Sequence, residues 1–463
     1  MTRFFRVFVP ATAVVLLVSE ILLITSAFIL AVYLTLDVDP WVNLIYDGGL
    51  MNLIPVLLSI LVGMYFNDLY SQYYVRSRIV LLQQLCLVMG GALLTQGFLS
   101  YLSPDLRVSG RVMAVGSVLA VVVIYFWRVL FSTFAINVMG RDRLLLVGGS
   151  PLLEDIARHL ELHPELGLEV AGYVDDAHQP GEALRGGKVL GSLPDLKEIV
   201  QAIQPNRVVV GMSERRNRMP VAELLDLRFS GHIIEEAATA FERVCGRVCL
   251  KELRPSQLIY SGELGPRSSS LLLQTVLNRL AAAAGLIVAS PIMVLTALAV
   301  RLSSPGPILY RQVRVGLDDV PFTVYKFRSM RADAEAATGA VWAAKDDPRV
   351  TTVGKIIRKL RFDELPQLFN TLKGDMSIVG PRPERPEFVQ DLSKKIPYYR
   401  QRHCVRPGIT GWAQINFKYG DTLEDTMTKL EYDLYYIKNM SLTLDTYIVF
   451  HTLKAMLLSR GSQ

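Results

Sequence analysis

Two adjacent acidic residues, Asp363 and Glu364, follow a short segment that is rich in cations. The cations that precede them are Lys355, Arg358, Lys359 and Arg361. Arginines beside a helix N-terminus form a site for phosphate, and a carboxylate held in such a field stays ionised at neutral pH. A nucleophile or a Mg²⁺ ligand requires an ionised carboxylate. The segment therefore predicts phosphate chemistry, with Asp363 as the attacking group.

The same two acids also fit a structural role. Asp363 is well placed to be the N-cap of a helix over Glu364–Leu372, because Pro366 fits only a first turn and Gly374 is a suitable C-terminal stop. Local pattern alone favours this cap. The neighbouring cations favour the phosphate site, and the two roles are compatible.

Two further segments supply cations on rigid or alternating backbone. Pro321–Met330 has the alternation of a half-buried strand, which puts Lys326 and Arg328 on one face. In Gly380–Glu384, Arg382 stands between two prolines, and an arginine held in this way suits a pyrophosphate.

Two segments nearer the C-terminus each allow two interpretations. Val405–Gln414 is a cation-bearing turn with an aromatic residue, and it fits either a nucleobase contact or the membrane interface. Leu442–Leu458 is either an interfacial amphipathic helix or a core helix.

The first third of the chain predicts membrane helices. A helix needs roughly 20 apolar residues to cross a bilayer. Arginines occur before the first predicted helix, between the second and third, and after the fourth, whereas the loop Asp37–Gly49 has only acidic charges. Positive charge is typical of cytoplasmic loops, so we predict that both ends of the four-helix segment lie in the cytoplasm. Glu20 either marks a lipid or ion path or pairs with a neighbouring helix. The four predicted spans are at about Val7–Thr35, Leu50–Phe66, Ile79–Leu102 and Val112–Ile136.

A further apolar segment, Leu280–Leu302, is long enough to span but contains Ser290 and Pro291 near its middle. Arginines flank both of its ends, as expected if both ends stay in the cytoplasm. Pro291 removes a backbone hydrogen bond, and the hydroxyl of Ser290 can satisfy the freed carbonyl. We therefore predict a helix over about residues 279–302 that breaks at this pair, enters one leaflet and turns back. A kinked spanning helix is the alternative.

The middle of the chain predicts an α/β domain with a parallel sheet. The turn Gly148–Pro151 lacks the third glycine of a dinucleotide fingerprint. Asp175 and Asp176 fit a ribose or a simple turn. We predict a Rossmann-like domain of the CoA- or NAD-binding type without a cofactor, then a linker over Arg254–Ser270. The predicted elements are Leu144–Val147, Glu154–Leu162, Val170–Val174 and Arg207–Val210.

Composition agrees with a membrane protein of several parts. The 463 residues correspond to roughly three units of about 150 residues each. A net charge of +6 suits anionic lipid and phosphate but is too dispersed for nucleic acid. The four cysteines have no metal-type spacing. The predicted domains are residues 1–140 with four transmembrane helices, 141–262 with the Rossmann-like fold, and 271–463 with a mixed α/β fold.

Residues Leu271–Gln463 resemble the bacterial sugar transferase family, the monotopic phosphoglycosyl transferases. The layout of four helices and an α/β domain ahead of this segment resembles the long members of the family, which initiate exopolysaccharide or O-antigen synthesis. The resemblance rests on motifs that occur in the family's order: Ser290-Pro291, Tyr325–Met330, Asp363–Leu368, Gly374–Ser377, Val379–Pro383 and Arg406–Trp412.

The resemblance implies a reaction in two steps. Asp363 would attack the β-phosphorus of a UDP-sugar and release UMP, and undecaprenyl phosphate would then take the sugar phosphate. Mg²⁺ would neutralise the diphosphate and ligate Asp363, while Glu364 would shape and charge the pocket. The implied location is the bacterial inner membrane with a cytoplasmic catalytic domain, and the extra domains favour a homodimer. The implied phosphate-binding residues are Arg358, Arg361, Arg382, Lys326 and Arg328.

One departure from the family concerns the start of the membrane helix, where a Lys-Arg pair and an Asp are usual. This chain has Gln274–Asn278 there, which affects how the helix is anchored in the membrane more than it affects the chemistry.

Two alternative functions stay open, a membrane-anchored nucleotide-sugar dehydratase or epimerase, and a non-catalytic assembly scaffold. The dehydratase would need an intact Gly-rich turn and a Tyr-x-x-x-Lys pair, and the sequence has no Tyr followed by Lys four residues later.

Overall fold

The chain forms two compact units in the computed structural model. One comprises residues 8–237 and the other residues 238–463, and the first seven residues are divided between them. Most of the predicted linker Arg254–Ser270 lies outside the described residues. The structure describes residues 2–4, 7–9, 11–37, 39–67, 69–70, 78–138, 142–212, 219–250, 268–331, 334, 347–417 and 422–457.

Apolar helices occupy all four of the stretches predicted in the first third of the chain. Their buried side chains form one continuous hydrophobic core. Within the described ranges, five helices are long and apolar enough to cross a membrane, and four of them are here. The elements are β1 (Thr2–Phe4), β2 (Val7–Val9), α1 (Ala11–Thr35), α2 (Pro40–Ile45), α3 (Gly49–Phe66), α4 (Arg78–Leu102) and α5 (Gly110–Val138).

Glu20 in α1 pairs with Arg128 in α5. The Nε atom of Arg128 lies 2.7 Å from one carboxylate oxygen of Glu20, and both side chains are buried. Arg128 also donates from Nη1 to the carbonyl oxygen of Leu69 at 2.7 Å. A buried charge needs a partner of opposite sign. The predicted pairing with a neighbouring helix is confirmed.

The α/β part of the first unit is a six-stranded sheet in the order β5-β6-β4-β3-β7-β8. All neighbouring pairs are parallel except β5 with β6, as the alternation of strands and helices predicts. The four predicted elements occur here with ends that differ by no more than a few residues. The elements are β3 (Asp142–Val147), α6 (Pro151–Leu162), β4 (Leu168–Val174), β5 (Ala183–Leu184), β6 (Gly187–Gly191), α7 (Leu196–Ile203), β7 (Arg207–Val210), α8 (Val221–Phe229) and β8 (Ile233–Glu236).

The space beside the turn after β3 is filled by the side chain of a nearby aspartate. A Cβ atom on Gly149 would lie 3.0 Å from a carboxylate oxygen of Asp175. Asp175 itself pairs with the ring Nδ1 of His178 at 2.7 Å. Asp176 accepts a hydrogen bond from the amide of Leu193 at 2.8 Å. These contacts fit the interpretation of the two aspartates as turn residues.

The second unit has a core built mainly from the helices Pro386–Lys395, Leu423–Asn439 and Leu442–Leu457 and the segments packed on them. Val248 and Leu250 lie in this core and so pack with the second unit, while the three-part domain division stays a prediction. The elements are α9 (Ala237–Cys245), α10 (Ser268–Ser303), β9 (Leu309–Val315), β10 (Pro321–Phe327), α11 (Thr352–Lys359), α12 (Gln367–Lys373), β11 (Ser377–Val379), α13 (Pro386–Lys395), β12 (Gly408–Thr410), α14 (Trp412–Asn416), α15 (Leu423–Asn439) and α16 (Leu442–Leu457).

Helix α10 corrects the predicted break at Ser290 and Pro291. The helix is continuous from Ser268 to Ser303 and passes through Pro291. The hydroxyl of Ser290 donates to the carbonyl oxygen of Ile287 at 2.7 Å, which is the carbonyl that a proline at 291 leaves without an amide donor. The predicted local compensation is therefore present, and it is sufficient to keep the helix intact.

The last helix, α16, packs on the core of the second unit. Leu444 and Ile448 are fully buried in that core. Phe450 and Leu453 on other faces are exposed. Of the two interpretations of this segment, the contacts favour a core helix.

Candidate active site

The backbone around the two acids differs from the predicted helix cap. Phe362–Glu364 forms a single turn of 3-10 helix, and α12 begins only at Gln367, with Pro366 as its N-cap residue. Asp363 therefore lies inside a separate turn, and the predicted N-cap role of Asp363 is wrong. Arg361, in the left-handed region with φ of 55°, redirects the chain just before the turn. Gly374 ends α12 in the left-handed conformation, as predicted.

Glu364 is the buried member of the acidic pair and is surrounded by cations. Its Oε1 atom accepts from Lys326 Nζ at 2.9 Å and from Arg382 Nη2 at 2.9 Å. Arg361 Nη1 lies 3.6 Å from the other oxygen. Burial raises the pKa of Glu364, but Lys326, Arg382 and Arg361 outweigh it and hold that pKa well below its usual range. Glu364 is thus a fixed negative charge.

Asp363 has a different environment from its neighbour. Among the described residues, no hydrogen bond is made to its carboxylate oxygens, which leaves them available to a ligand. Burial, followed by the charge of Glu364, raises the pKa of Asp363 to about 6, and Lys326, Arg358 and Arg382 oppose the rise. Each pH unit above the pKa changes the ionised ratio about tenfold, so the ionised form dominates at neutral pH. Asp363 can act as a nucleophile or as a ligand.

Lys326 reaches Glu364 because Asn370 fixes α12 against the hairpin of β9 and β10. Asn370 is fully buried, donates to the carbonyl oxygen of Thr323 at 2.7 Å and accepts from the amide of Tyr325 at 3.2 Å. One side-chain amide therefore satisfies two backbone groups of β10. Asn370 is a positioning residue that sequence reasoning missed, although a polar residue amid the apolar positions of α12 was a usable signal.

Arg382 reaches Glu364 from a loop that packs closely against another strand. Parallel pairing of β11 with β12 leads into Gly380, where a Cβ atom would lie 2.4 Å from the carbonyl oxygen of Arg406. Only glycine permits that approach. The loop is thereby placed so that the guanidinium of Arg382 meets the carboxylate of Glu364.

Arg328 is not brought into this cluster. Its guanidinium is buried and donates to the carbonyl oxygens of Pro305 at 2.8 Å and Ser304 at 2.7 Å, just past the end of α10. The contacts assign Arg328 to the termination of α10, where cations are favourable. Its predicted phosphate contact has no support in this geometry, whereas Arg358, Arg361, Arg382 and Lys326 all act on the acidic pair.

Side chains of the turn Val405–Gln414 make contacts with other residues of the same unit. Trp412 donates from Nε1 to the carbonyl oxygen of Gly246 at 2.7 Å and stacks on Tyr435 with ring centroids 5.7 Å apart. Arg406 donates from Nε to the carbonyl oxygen of Gly374 at 3.0 Å. Neither the nucleobase contact nor the interfacial position predicted for this turn is supported by these contacts.

Comparisons with known proteins place this site in a family. The bacterial sugar transferase family matches residues 269–459. The exopolysaccharide production protein PSS of Rhizobium leguminosarum bv. phaseoli is 39% identical over 196 residues, which cover 41% of this chain and 98% of that protein. The chain belongs to the bacterial sugar transferase family. The predicted family is confirmed.

Two longer relatives of this bacterial sugar transferase carry specific names. The UDP-N-acetylgalactosamine-undecaprenyl-phosphate N-acetylgalactosaminephosphotransferase of Aeromonas hydrophila is 47% identical over 222 residues, covering 48% of this chain and 52% of that protein. The UDP-glucose:undecaprenyl-phosphate glucose-1-phosphate transferase of Escherichia coli K12 is 37% identical over 318 residues, covering 66% of this chain and 65% of that protein. The chain thus spans between about half and two thirds of the length of these two relatives.

Proposed function

We propose that this chain transfers a sugar 1-phosphate from a UDP-sugar to undecaprenyl phosphate, the first membrane step of exopolysaccharide or O-antigen synthesis. The observation that carries the proposal is the acidic pair, in which Glu364 is held ionised by Lys326 and Arg382 while Asp363 stays free of hydrogen bonds among the described residues. The names of the two longer relatives supply the substrate class. Family membership favours this function over a dehydratase or a scaffold.

The proposed chemistry has two displacements at one phosphorus. A carboxylate oxygen of Asp363 attacks the β-phosphorus of the UDP-sugar, the bond from that phosphorus to the bridging oxygen breaks, and UMP leaves with the electron pair. A phosphate oxygen of undecaprenyl phosphate then attacks the same phosphorus and releases the Asp363 carboxylate. Two steps suit a soluble donor and a membrane-bound acceptor, because both need not occupy the site together.

The cations are proposed to bind the donor. Lys326 and Arg382 already face Glu364 at 2.9 Å, so both cationic groups are held beside the acidic pair. Arg358 and Arg361 add positive charge beside Asp363 and Glu364 respectively. The departing UMP phosphate gains charge as the bond breaks, and preorganised cations stabilise that charge.

A divalent cation fits this donor set. Mg²⁺ is usually held by one or two carboxylates together with substrate phosphates, and not by a cage of protein ligands. Within the described residues, no group of three or more His, Cys, Asp or Glu side chains is placed to hold a metal. Asp363, with Glu364 beside it, would hold Mg²⁺, which when bound would neutralise charge on the diphosphate.

We also propose that α10 is re-entrant, with a bend at Pro291 in place of a break in the helix, and that the catalytic unit lies on the cytoplasmic face of the inner membrane. Near the start of α10, Asn278 donates to the hydroxyl of Ser377 at 2.7 Å. Near its end, Val300 is buried against Phe327 and Ile357 of the same unit. A helix that crossed the bilayer would carry its end away from this unit, whereas both ends contact it. The four-helix membrane bundle and the homodimer stay predictions beside this proposal.

The transfer is tested by UMP release from a panel of UDP-sugars with undecaprenyl phosphate and Mg²⁺. We expect Asp363→Asn to lower the rate by at least about 10⁴-fold, because the nucleophile is lost while shape is kept. Asp391→Asn is the matched control, since Asp391 is an exposed aspartate paired with Lys395 on α13. Full activity of Asp363→Asn would rule out the covalent mechanism.

The topology is tested by labelling single cysteines in a chain whose four native cysteines are replaced. We expect Ser303→Cys, at the end of α10, to react with a membrane-impermeant reagent only from the cytoplasmic side. Tyr46→Cys, in the exposed loop before α3, should react only from the outside and serves as the control. Labelling of the cysteine at 303 from outside would make α10 a spanning helix.

A further inference from the structure

The loop that carries Arg382 has no regular secondary structure, yet all four carbonyls of residues 381–384 accept hydrogen bonds from outside the loop. Gly408 donates its amide to the carbonyl oxygen of Pro381 at 2.9 Å, and Val315 donates its amide to that of Glu384 at 2.9 Å. Arg314 donates from Nη1 to the carbonyl oxygen of Pro383 at 2.9 Å. The prolines cannot donate hydrogen bonds of their own, so these external donors fix the backbone.

The fourth donor, Arg402, acts on Arg382 itself. Its Nη2 atom donates to the main-chain carbonyl oxygen of Arg382 at 3.0 Å. The same guanidinium donates from Nη1 to the Tyr399 hydroxyl at 2.7 Å and lies 2.8 Å from a carboxylate oxygen of Asp433 on α15. Both charged side chains are buried. The contacts with Tyr399 and Asp433 therefore fix the Arg402 side chain independently of its contact with the loop.

We propose that the buried Arg402–Asp433 pair is a positioning device that aims Arg382 at the diphosphate of the donor. Arg382 meets Glu364 at 2.9 Å on one side and is held through its backbone by Arg402 on the other. A guanidinium can pair with Asp433 and donate to Tyr399 and the loop at once because its donors form a planar fork. A lysine ammonium keeps the charge but lacks that fork.

This inference deepens the proposed function and rests on it. If Arg402 acts through Arg382, its substitution should weaken donor binding more than it slows the chemical step. A bidentate contact from Arg382 to phosphate depends on the position of its loop, so a looser loop has a measurable effect on donor affinity. A pair that serves only core stability would lower the unfolding temperature without acting on Arg382.

The experiment is a double-mutant cycle on the purified full chain with Arg402→Lys, Arg382→Ala and both together. The readouts are KM and kcat for the donor that the panel selects, and calorimetric affinity for UDP in Mg²⁺. We expect Arg402→Lys to raise KM and the Kd for UDP about tenfold, with a smaller fall in kcat. In the Arg382→Ala background, Arg402→Lys should cause no further change.

The matched control is Arg247→Lys. Arg247 pairs with Glu431 at 2.9 Å, two residues from Asp433 on the same helix, and has no contact with the Arg382 loop in the described residues. Its substitution should lower the unfolding temperature without raising KM. Asp433→Asn is the second variant if Arg402→Lys does not fold, and it should raise KM in the same way because Arg402 loses its charged partner.

Three results would overturn the inference. The first is an unchanged KM in both variants of the pair. The second is a full additional increase on the Arg382→Ala background, which would mean that Arg402 acts independently of Arg382. The third is a wild-type chain that neither binds UDP nor releases UMP, which would overturn the proposed function as well. Active wild type with variants that behave like Arg247→Lys would refute the positioning role alone.

Discussion

Two turns of this chain place carboxylates beside the start of a helix, and their surroundings differ. In the turn after β3, Gly149 lies near the start of α6 beside the carboxylate of Asp175, which follows β4 and has His178 as its partner. Before α12, Glu364 faces Lys326 and Arg382, and Asp363 lies next to it. The first turn has the geometry of a nucleotide-binding fold but places a carboxylate where a phosphate would come close. The second has irregular geometry but a surplus of fixed cations.

The difference between the two turns indicates that a phosphate site depends on charge compensation more than on backbone topology. An anion approaching a helix start gains from free amides and nearby cations, and it loses from a carboxylate already there. Around Glu364, three cations compensate one buried acid. We therefore expect UDP-sugar chemistry at the second turn and none at the first.

Among the substitutions that test this comparison, removing the charge of Glu364 has the largest expected effect. In Glu364→Gln, Lys326 and Arg382 lose the anion that fixes both of them. We expect UMP release to fall on the order of a hundredfold or more, since preorganised charges are lost from the site. Glu242→Gln, which alters an acid paired with Lys438 at 2.8 Å away from both the acidic pair and the Arg382 loop, is the control and should retain most activity. Equal activity of both variants would remove the distinction between the two turns.

A smaller effect is expected on the titration of Asp363 in the metal-free chain. A raised pKa means that the protonated form persists to higher pH than in an ordinary aspartate, so carbodiimide, which reacts with protonated carboxyls, should label Asp363 half-maximally near pH 6. Lys326 lowers this pKa, so Lys326→Met should move the midpoint to higher pH. Peptide mass spectrometry reads the label. A midpoint that is independent of Lys326 would contradict the assigned electrostatics.

The smallest effect is expected at the first turn. Asp175→Asn removes its charge at the strand end, and we expect UMP release to change by less than about twofold, because the residue lies outside the proposed site. Calorimetry with UMP on the same variant gives the sharper result. Loss of UMP binding on this substitution would make the turn after β3 a nucleotide site and reverse the comparison.

Features that depend on near neighbours in sequence were predictable. The strands of the parallel sheet follow from short β-branched runs, and the hydroxyl of Ser290 bonds to Ile287 because helix geometry fixes that distance. Gly374 ends α12 because glycine adopts the left-handed conformation without strain. Arg358 and Arg361 were recognised for the same reason, since they precede the acidic pair directly in the chain.

Features that depend on distant partners were not predictable. Arg328 follows a strand with the pattern of a ligand-binding face, but its partners, Ser304 and Pro305, are set by where α10 ends. Trp412 was open to two roles because Gly246 and Tyr435 lie far from it in sequence. A spacing rule cannot identify such partners, because tertiary packing selects them.

Arg361 has a consequence for how this protein balances activity against folding. Its left-handed backbone, with φ of 55°, costs roughly 1–2 kcal/mol for a residue with a Cβ atom, and glycine would avoid that cost. Its guanidinium lies 3.6 Å from Glu364, which glycine could not supply. The position thus trades conformational stability for charge. Variants selected for heat resistance alone are expected to lose the arginine here, and catalytic capacity would decline as stability rises.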